Sequence, residues 1–94
     1  MTQIETTLKN ELGLHMRPAQ GLMKLAIEQP CEVHIDKDGV RANAKSIVEL
    51  IGLAAAAGDK LIITCDGDGE AESAKIIQEF LENLPELYEE ERIE

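Results

Sequence analysis

Four short segments of the sequence alternate apolar and polar residues with a period of two. They are residues 3–9, 31–36, 40–42 and 60–66. In a β-strand this period places the apolar side chains on one face and the polar side chains on the other. Such strands are typical of an antiparallel sheet that packs on a core with one face and meets solvent with the other. The alternation therefore predicts a four-stranded sheet with a single buried face.

Three further segments have apolar residues at the spacing of a helix that packs on one side. The first helix begins close to Met16, because Pro18 has no amide hydrogen and fits only the first turn of a helix. The second helix spans residues 46–57 and is closed by Gly58, and the third follows the turn at residues 66–69. The residues predicted to face the core are Ala19, Leu22, Met23 and Ala26, then Leu50, Leu53, Ala54 and Ala57, and then Ala74, Ile77, Leu81 and Leu84.

The predicted elements follow one another in the order β-α-β-β-α-β-α. Asp38 and Gly39 form the dipeptide of a tight hairpin between the second and third strands. Three helices on one face of a four-stranded antiparallel sheet give the α+β class, as a two-layer, open-faced sandwich. The predicted domain spans residues 1–84, and residues 85–94 form an acidic C-terminal tail in which Pro85 ends the regular structure. Both a frayed helix and a loose tail fit this tail's composition.

The formal net charge of −10 limits the partners that this 94-residue chain binds. Nucleic acid and anionic membrane surfaces have the same sign of charge and are disfavoured. The sequence has no run of 18 apolar residues, and its first ten residues, MTQIETTLKN, lack the basic and apolar regions of a targeting signal. We therefore expect one small, cytoplasmic domain that does not insert into a membrane.

Two cysteines and a histidine in the predicted strands are expected to be structural. Cys31 and Cys65 alternate with polar neighbours, and two isolated cysteines in an intracellular chain are typical of buried thiols rather than of a disulfide or a metal site. His34 falls on the polar face of its strand, so we interpret it as a surface residue and not as a ligand.

The segment Gly-Leu-His-Met-Arg-Pro-Ala at residues 13–19 places a histidine directly before a helix and an arginine two residues later. The first amides of a helix have no internal partner and the helix dipole makes that end positive, so an anion gains roughly 0.3–1 kcal/mol there. Arg17 can add a bidentate pair to phosphate oxygens, and a neutral imidazole is a nucleophile. The arrangement favours a covalent phosphoryl group on His15. The alternative is a loop histidine beside a solvated arginine.

Two motifs resemble those of HPr, the histidine-containing phosphocarrier family of the phosphoenolpyruvate-dependent sugar phosphotransferase system. They are residues 13–19 and Asn-Ala-Lys-Ser-Ile-Val at residues 43–48. The resemblance extends from residue 1 to about 84. It implies that enzyme I phosphorylates His15 on Nδ1, that Arg17 and the first helix amides stabilise the phosphohistidine, and that enzyme IIA proteins receive the group for sugar uptake. It also implies a monomeric carrier that is not itself an enzyme and needs no metal and no organic cofactor.

The second predicted helix has more apolar surface than its core stripe requires. Ile47, Val48 and Ile51 point to a different side, which indicates a docking patch, while deep burial of a wide apolar helix is the alternative. The resemblance to HPr favours docking. The partner-contacting residues that it implies are Met16, Gln20, Lys24, Ile47, Val48 and Ile51.

Ser46 has two interpretations at the start of this helix. Ser-Ile-Val-Glu at residues 46–49 fits a capping box, in which the hydroxyl caps the helix and Glu49 reaches back to the cap. The resemblance to HPr implies that Ser46 is a regulatory phosphorylation site, with an HPr kinase/phosphorylase as a further partner. A phosphate there would add about −1.5 to −2 charge beside the docking patch.

Two functions remain open at this point. The first is a sugar-branch phosphocarrier. The second is a nitrogen-branch or regulatory HPr paralogue that acts mainly by binding target proteins. An independent enzyme is disfavoured, because no general base, metal cluster or phosphate-binding glycine loop accompanies His15 in the sequence.

Overall fold

The four predicted strands pair into one antiparallel sheet in a computed structural model that describes residues 1–88. The strands are β1 at Thr2–Thr7, β2 at Cys31–Lys37, β3 at Val40–Asn43 and β4 at Lys60–Gly67, in the order β1-β4-β2-β3. Ile4 pairs with Ile63, Ile63 with Ile35, and Ile35 with Ala42, so an apolar row crosses the whole sheet. The predicted sheet with one apolar face is confirmed.

Helices in the described part of the chain cover the apolar face of the sheet. They are α1 at Met16–Ile27, α2 at Ile47–Gly52, α3 at Glu70–Glu82 and α4 at Leu84–Tyr88. The core-facing residues predicted for α1 and α3 are buried, except that Met23 is half-buried and packs against the core. The α+β open-faced sandwich is therefore confirmed, with one short helix more than predicted.

The short helix α4 corrects the expectation that regular structure ends at Pro85. Pro85 lies in the first turn of α4, where its missing amide hydrogen costs no helix hydrogen bond. Leu84 is fully buried and Tyr88 packs against the core, so this turn belongs to the folded body. The division between a domain at 1–84 and a tail at 85–94 stays a prediction, and residues 89–94 lie outside the described residues.

The second helix is shorter than the predicted span of residues 46–57. α2 ends at Gly52, and Ala54 takes a left-handed φ of 52°. Two of the predicted core residues, Ala54 and Ala57, are therefore exposed, while Ala55 is buried instead. The carbonyl groups of Leu53 and Ala54, which a longer helix would use for its own hydrogen bonds, instead accept hydrogen bonds from Lys37 on β2.

The remaining strand predictions agree with the structure. Asp38 and Gly39 have φ values of 51° and 83°, as a two-residue hairpin with positive φ at both positions requires. Cys31 and Cys65 are buried free thiols. Burial, and to a smaller extent the neighbouring thiol of Cys31, raises the pKa of Cys65 to about 12. His34 is half-buried on the open face of the sheet. It pairs with Thr64 of β4 in the register of the two strands.

Candidate functional site

The loop before α1 is held by a buried asparagine. Asn10 is fully buried, and its side-chain Nδ2 donates to the carbonyl of Gly13 at 2.7 Å. In return the amide of Gly13 donates to the carbonyl of Asn10 at 2.8 Å. These two bonds close a tight turn over residues 10–13, so the chain enters α1 from a fixed direction.

Gly13 brings this loop against the segment that follows α2. Its φ is 71°, and a Cβ added there would lie 2.4 Å from the carbonyl oxygen of Ala55. The next amide, that of Leu14, donates to the same oxygen at 3.0 Å. A glycine is therefore required by both the backbone conformation and the close approach. The position of His15 is set by two loops that meet here.

His15 is the N-cap residue of α1. Its backbone is extended, with φ −79° and ψ −173°, and its carbonyl accepts the amide of Ala19 at 2.9 Å. Its side chain makes no capping hydrogen bond and is half-buried. Pro18 is buried in the first turn and has no amide hydrogen to offer. The predicted start of the helix near Met16 is confirmed, and the imidazole lies at its positive end.

The charges around the start of α1 favour an anion. The first turn of α1 contains no acidic residue, and Arg17 is exposed on that turn. Gln20 and Lys24 are exposed further along the same helix, and Lys24 is the basic residue of its last turn. The first turn of α1 therefore has a positive and no negative side chain in a chain with net charge −10.

Exposed apolar side chains lie on both segments that flank His15, and we refer to Leu12, Met16, Val48 and Ile51 as the apolar patch. Their exposed fractions are 50 %, 51 %, 77 % and 37 %, respectively. Leu12 and Met16 border His15 in sequence, and α2, which provides the other two, packs against α1. Neighbouring exposed apolar groups are typical of a docking surface.

The exposure of two residues differs from the predicted docking surface, while docking itself stays a prediction. Ile47 is half-buried and packs against the core, so the prediction that it lies on an outer face is wrong. Ile47 is the first residue of α2 and lies three residues before the buried Leu50, so the two share one face of the helix. Leu12 was not predicted. Its signal in the sequence is a large apolar residue in a polar loop two residues before the histidine-containing helix start.

Ser46 caps α2, but only one of the two hydrogen bonds of the predicted capping box is formed. Its hydroxyl accepts the amide of Glu49 at 3.3 Å, as predicted. The carboxylate of Glu49 does not return to Ser46 and instead accepts the amide of Asn43 at 2.7 Å. This occurs because the amide of Ser46 already donates to the carbonyl of Asn43 at 2.9 Å. Ser46 is half-buried at this corner.

Residues 1–88 contain no cluster of metal ligands, and the surface depression in this range does not include His15. No group of three or more His, Cys, Asp or Glu side chains in this range is arranged to hold a metal ion. A surface depression of about 440 Å³ is lined by Glu5, Thr6, Thr7, Lys9, Lys60 and Glu82, and His15 is not part of it. No helix within the same residues has the length and apolar character needed to cross a membrane.

Comparisons with known proteins identify what this site resembles. The family model described as "PTS HPr component phosphorylation site" matches residues 2–83. The phosphocarrier protein HPr of Borreliella burgdorferi is 35 % identical over 86 residues, which are 92 % of this chain and 100 % of that protein. The crystal structure of an HPr from Thermoanaerobacter tengcongensis superposes with a TM-score of 0.84 at 30 % identity, covering 88 % of this chain and 93 % of that one.

A further relative has a regulatory name. The crystal structure of Crh, a catabolite repression protein of Bacillus subtilis, superposes with a TM-score of 0.71 at 29 % identity. It covers 88 % of this chain and 95 % of the Crh chain, and Crh is described there as a dimer formed by domain swapping. The fold is therefore shared by phosphocarriers and by at least one relative that is named for catabolite repression.

Proposed function

Since the chain belongs to the HPr family of phosphocarrier proteins of the phosphotransferase system, we propose that its own phosphoacceptor is His15. Nδ1 of His15 attacks the phosphorus of the phosphohistidine of enzyme I. A nitrogen–phosphorus bond forms on His15 as the corresponding bond of the donor breaks. An enzyme IIA histidine then takes the group in the same way, and no net redox change or added cofactor is needed. The exchange takes place in the cytoplasm.

The observation that carries this proposal is the placement of His15 at the N-cap of α1 with no capping hydrogen bond from its side chain. The imidazole is thus not engaged in holding the helix, and a group attached to it meets the positive end of α1. Arg17 on the first turn supplies charge-assisted hydrogen bonds to the phosphoryl oxygens. The site stabilises an attached anion, and the surface depression described above does not include His15. The site fits a relay better than an independent catalyst.

Docking of both partners is assigned to the face around His15. The apolar patch supplies the buried centre of such an interface, and Arg17, Gln20 and Lys24 supply a polar and basic rim. Partner surfaces that fit are therefore apolar at the centre and acidic at the edge. Ile47 contributes to this face by packing α2 against the core.

Ser46 is proposed as a regulatory site within the same scheme. A phosphate on Ser46 would lie at the start of α2, next to Val48 of the apolar patch. Its charge of about −1.5 to −2 would repel an acidic partner without unfolding the domain. An HPr kinase/phosphorylase with ATP is the matching reagent, and Ser46→Ala is the control.

A second function is favoured by the likeness to Crh. In that case the chain acts mainly by binding target proteins, in a regulatory or nitrogen branch, and its oligomeric state can differ from the monomer expected for a sugar-branch carrier. Sedimentation of the purified protein separates a monomer from a swapped dimer.

The decisive experiment is phosphoryl labelling with phosphoenolpyruvate and enzyme I. We expect one acid-labile phosphoryl group on the wild-type protein and none on His15→Ala. The chain offers a matched control in its other histidine, so His34→Ala should label like the wild type. Labelling that survives in His15→Ala, or no labelling of the wild type, would overturn the proposal and favour the binding function.

A further inference from the structure

Lys37 on β2 has three oxygen partners on the segment that follows α2. Its Nζ donates to the carbonyl of Leu53 at 3.1 Å and to the carbonyl of Ala54 at 3.1 Å, and it lies 3.5 Å from Oδ2 of Asp59. A lysine ammonium has three donors, so all of them are directed to this one segment. The side chain is half-buried, which favours these contacts over exchange with water.

The oxygens that Lys37 binds belong to a strained part of the backbone. Ala54 has a φ of 52°, a conformation that is unfavourable for residues other than glycine. Lys37 donates to the carbonyl groups before and after the Cα atom of Ala54, which are those of Leu53 and of Ala54 itself. Asp59 closes the other end of the segment, because its Oδ2 also accepts the amide of Ala56 at 2.8 Å. Residues 53–59 are thus fixed at both ends by contacts that include Lys37.

The same segment supports the loop that carries His15. Ala55 lies directly after the strained residue, and its carbonyl accepts the amide of Leu14 at 3.0 Å. Because Gly13 has no Cβ, the carbonyl oxygen of Ala55 can lie this close to the loop, and a shift of Ala55 would weaken its hydrogen bond to Leu14. Leu14 precedes His15, and the displacement would pass directly to the imidazole.

We propose that Lys37 is a positioning residue that keeps His15 in register with α2, and this inference rests on the proposed function of His15. Lys37 does not touch the reacting atoms. It fixes the end of α2, which provides Val48 and Ile51 of the apolar patch, and through Ala55 it fixes the loop before His15. The acceptor and the docking helix are thereby held at one spacing, which a partner requires in order to meet both together.

The test compares Lys37→Met with Lys37→Arg, which retains charge and donors, and with Lys60→Met as a matched control. Lys60 is an exposed lysine whose ammonium lies 3.7 Å from Glu5. Amide hydrogen exchange of Leu14 reports its bond to Ala55 without any phosphoryl transfer, and exchange of Ile63 in the sheet reports global unfolding. We expect Leu14 to exchange about tenfold faster in Lys37→Met with Ile63 unchanged, and to be restored in Lys37→Arg. Lys60→Met should match the wild type.

The rate of labelling by enzyme I then tests positioning itself. We expect a loss of about tenfold in Lys37→Met and recovery in Lys37→Arg. Unchanged exchange of Leu14 would overturn the inference, as would a wild-type labelling rate in a variant whose Leu14 exchange is accelerated. Should Lys37→Met fail to fold, Lys37→Gln, which retains donors without the charge, is measured in its place. If the wild type itself is not labelled, the function of His15 fails, while the exchange of Leu14 still decides whether Lys37 holds the loop.

Discussion

The N-terminal ends of α1 and α3 are both positive, and the residues of their first turns differ in charge. α3 begins with Glu70, whose carboxylate accepts hydrogen bonds from the hydroxyl of Thr2 and the amide of Gly67 and lies 2.7 Å from the amino terminus of Met1. α1 begins after His15, and its first turn has no acidic residue. Both helix starts are positive. At α3 this positive end receives a carboxylate from the helix's own first turn.

The start of α2 is intermediate between these two. It has an acidic residue in its first turn, Glu49, but that carboxylate is bonded to the amide of Asn43, and the cap is the hydroxyl of Ser46. A helix start alone does not define a site, because the starts of α2 and α3 are already satisfied by groups of the chain itself. What distinguishes α1 is a histidine at the N-cap and a first turn without an acidic residue.

The largest expected effect comes from disturbing the approach to α1 at Gly13. Gly13→Ala introduces a Cβ 2.4 Å from the carbonyl of Ala55 at a φ of 71°, so we expect the free energy of unfolding to fall by about 2 kcal/mol or more. Gly52→Ala is the control, since a Cβ there meets nothing within 4 Å, and it should remain within about 1 kcal/mol of the wild type. Urea unfolding measures both. Equal stability of the two variants would show that the two loops do not constrain each other.

This glycine marks the limit of what the sequence predicts. The strands and the long helices follow from local periodicity. Ile35 belongs to the period of two along β2, and Ile77 belongs to the helical period along α3. The histidine at the helix start was predicted from adjacent residues in the same way. The close approach of Gly13 to Ala55 joins positions that are 42 apart in the chain, and no local pattern encodes it.

The early end of α2 could not be predicted for the same reason. The apolar spacing of the second helix continues to Ala57, but Lys37 binds the carbonyl groups of Leu53 and Ala54 from a different strand. Likewise Ile47 is exposed on a helical projection and half-buried once α2 lies on the sheet. Tertiary contacts decided both cases, and a helical period has no information about them.

The second effect tests whether Arg17 helps the start of α1 to hold a phosphoryl group, whereas the start of α3 already holds the carboxylate of Glu70. Arg17→Met should slow labelling of His15 by about tenfold, equivalent to about 1.4 kcal/mol, because a charge-assisted pair to the phosphoryl oxygens is lost. Arg17→Lys should fall between, since lysine keeps the charge without the bidentate geometry. Arg41→Met is the control, because Arg41 pairs with Asp36 on the sheet. An Arg17→Met rate equal to that of Arg41→Met would remove Arg17 from the site.

The third effect separates capping from phosphoryl acceptance. Ser46→Ala should lower the free energy of unfolding by about 1 kcal/mol, because the amide of Glu49 loses the hydroxyl that it donates to. The labelling rate of His15 should not change, since this cap lies on α2. Ser46→Asp keeps an acceptor and adds a charge beside Val48, so it should label more slowly while unfolding like the wild type. Thermal or urea unfolding, run with the labelling assay on the same samples, checks both. Slower labelling in Ser46→Ala would mean that the two helix starts are coupled.

The smallest effect is expected at α3, where the anion is already in place. The amino terminus of Met1, the amide of Gly67 and the hydroxyl of Thr2 lower the pKa of Glu70 to about 2. A lowered pKa in the folded state means that Glu70 contributes stability at pH values above its ordinary pKa near 4.5, and that this contribution is lost as the pH falls from there toward 2. The difference in urea midpoint between the wild type and Glu70→Gln should therefore shrink over this interval. Glu72→Gln, on the same turn, corrects for the general loss of negative charge. A difference that stays constant down to pH 2 would mean that the charge of Glu70 is not what fills the start of α3, and the contrast with α1 would then rest on hydrogen bonding alone.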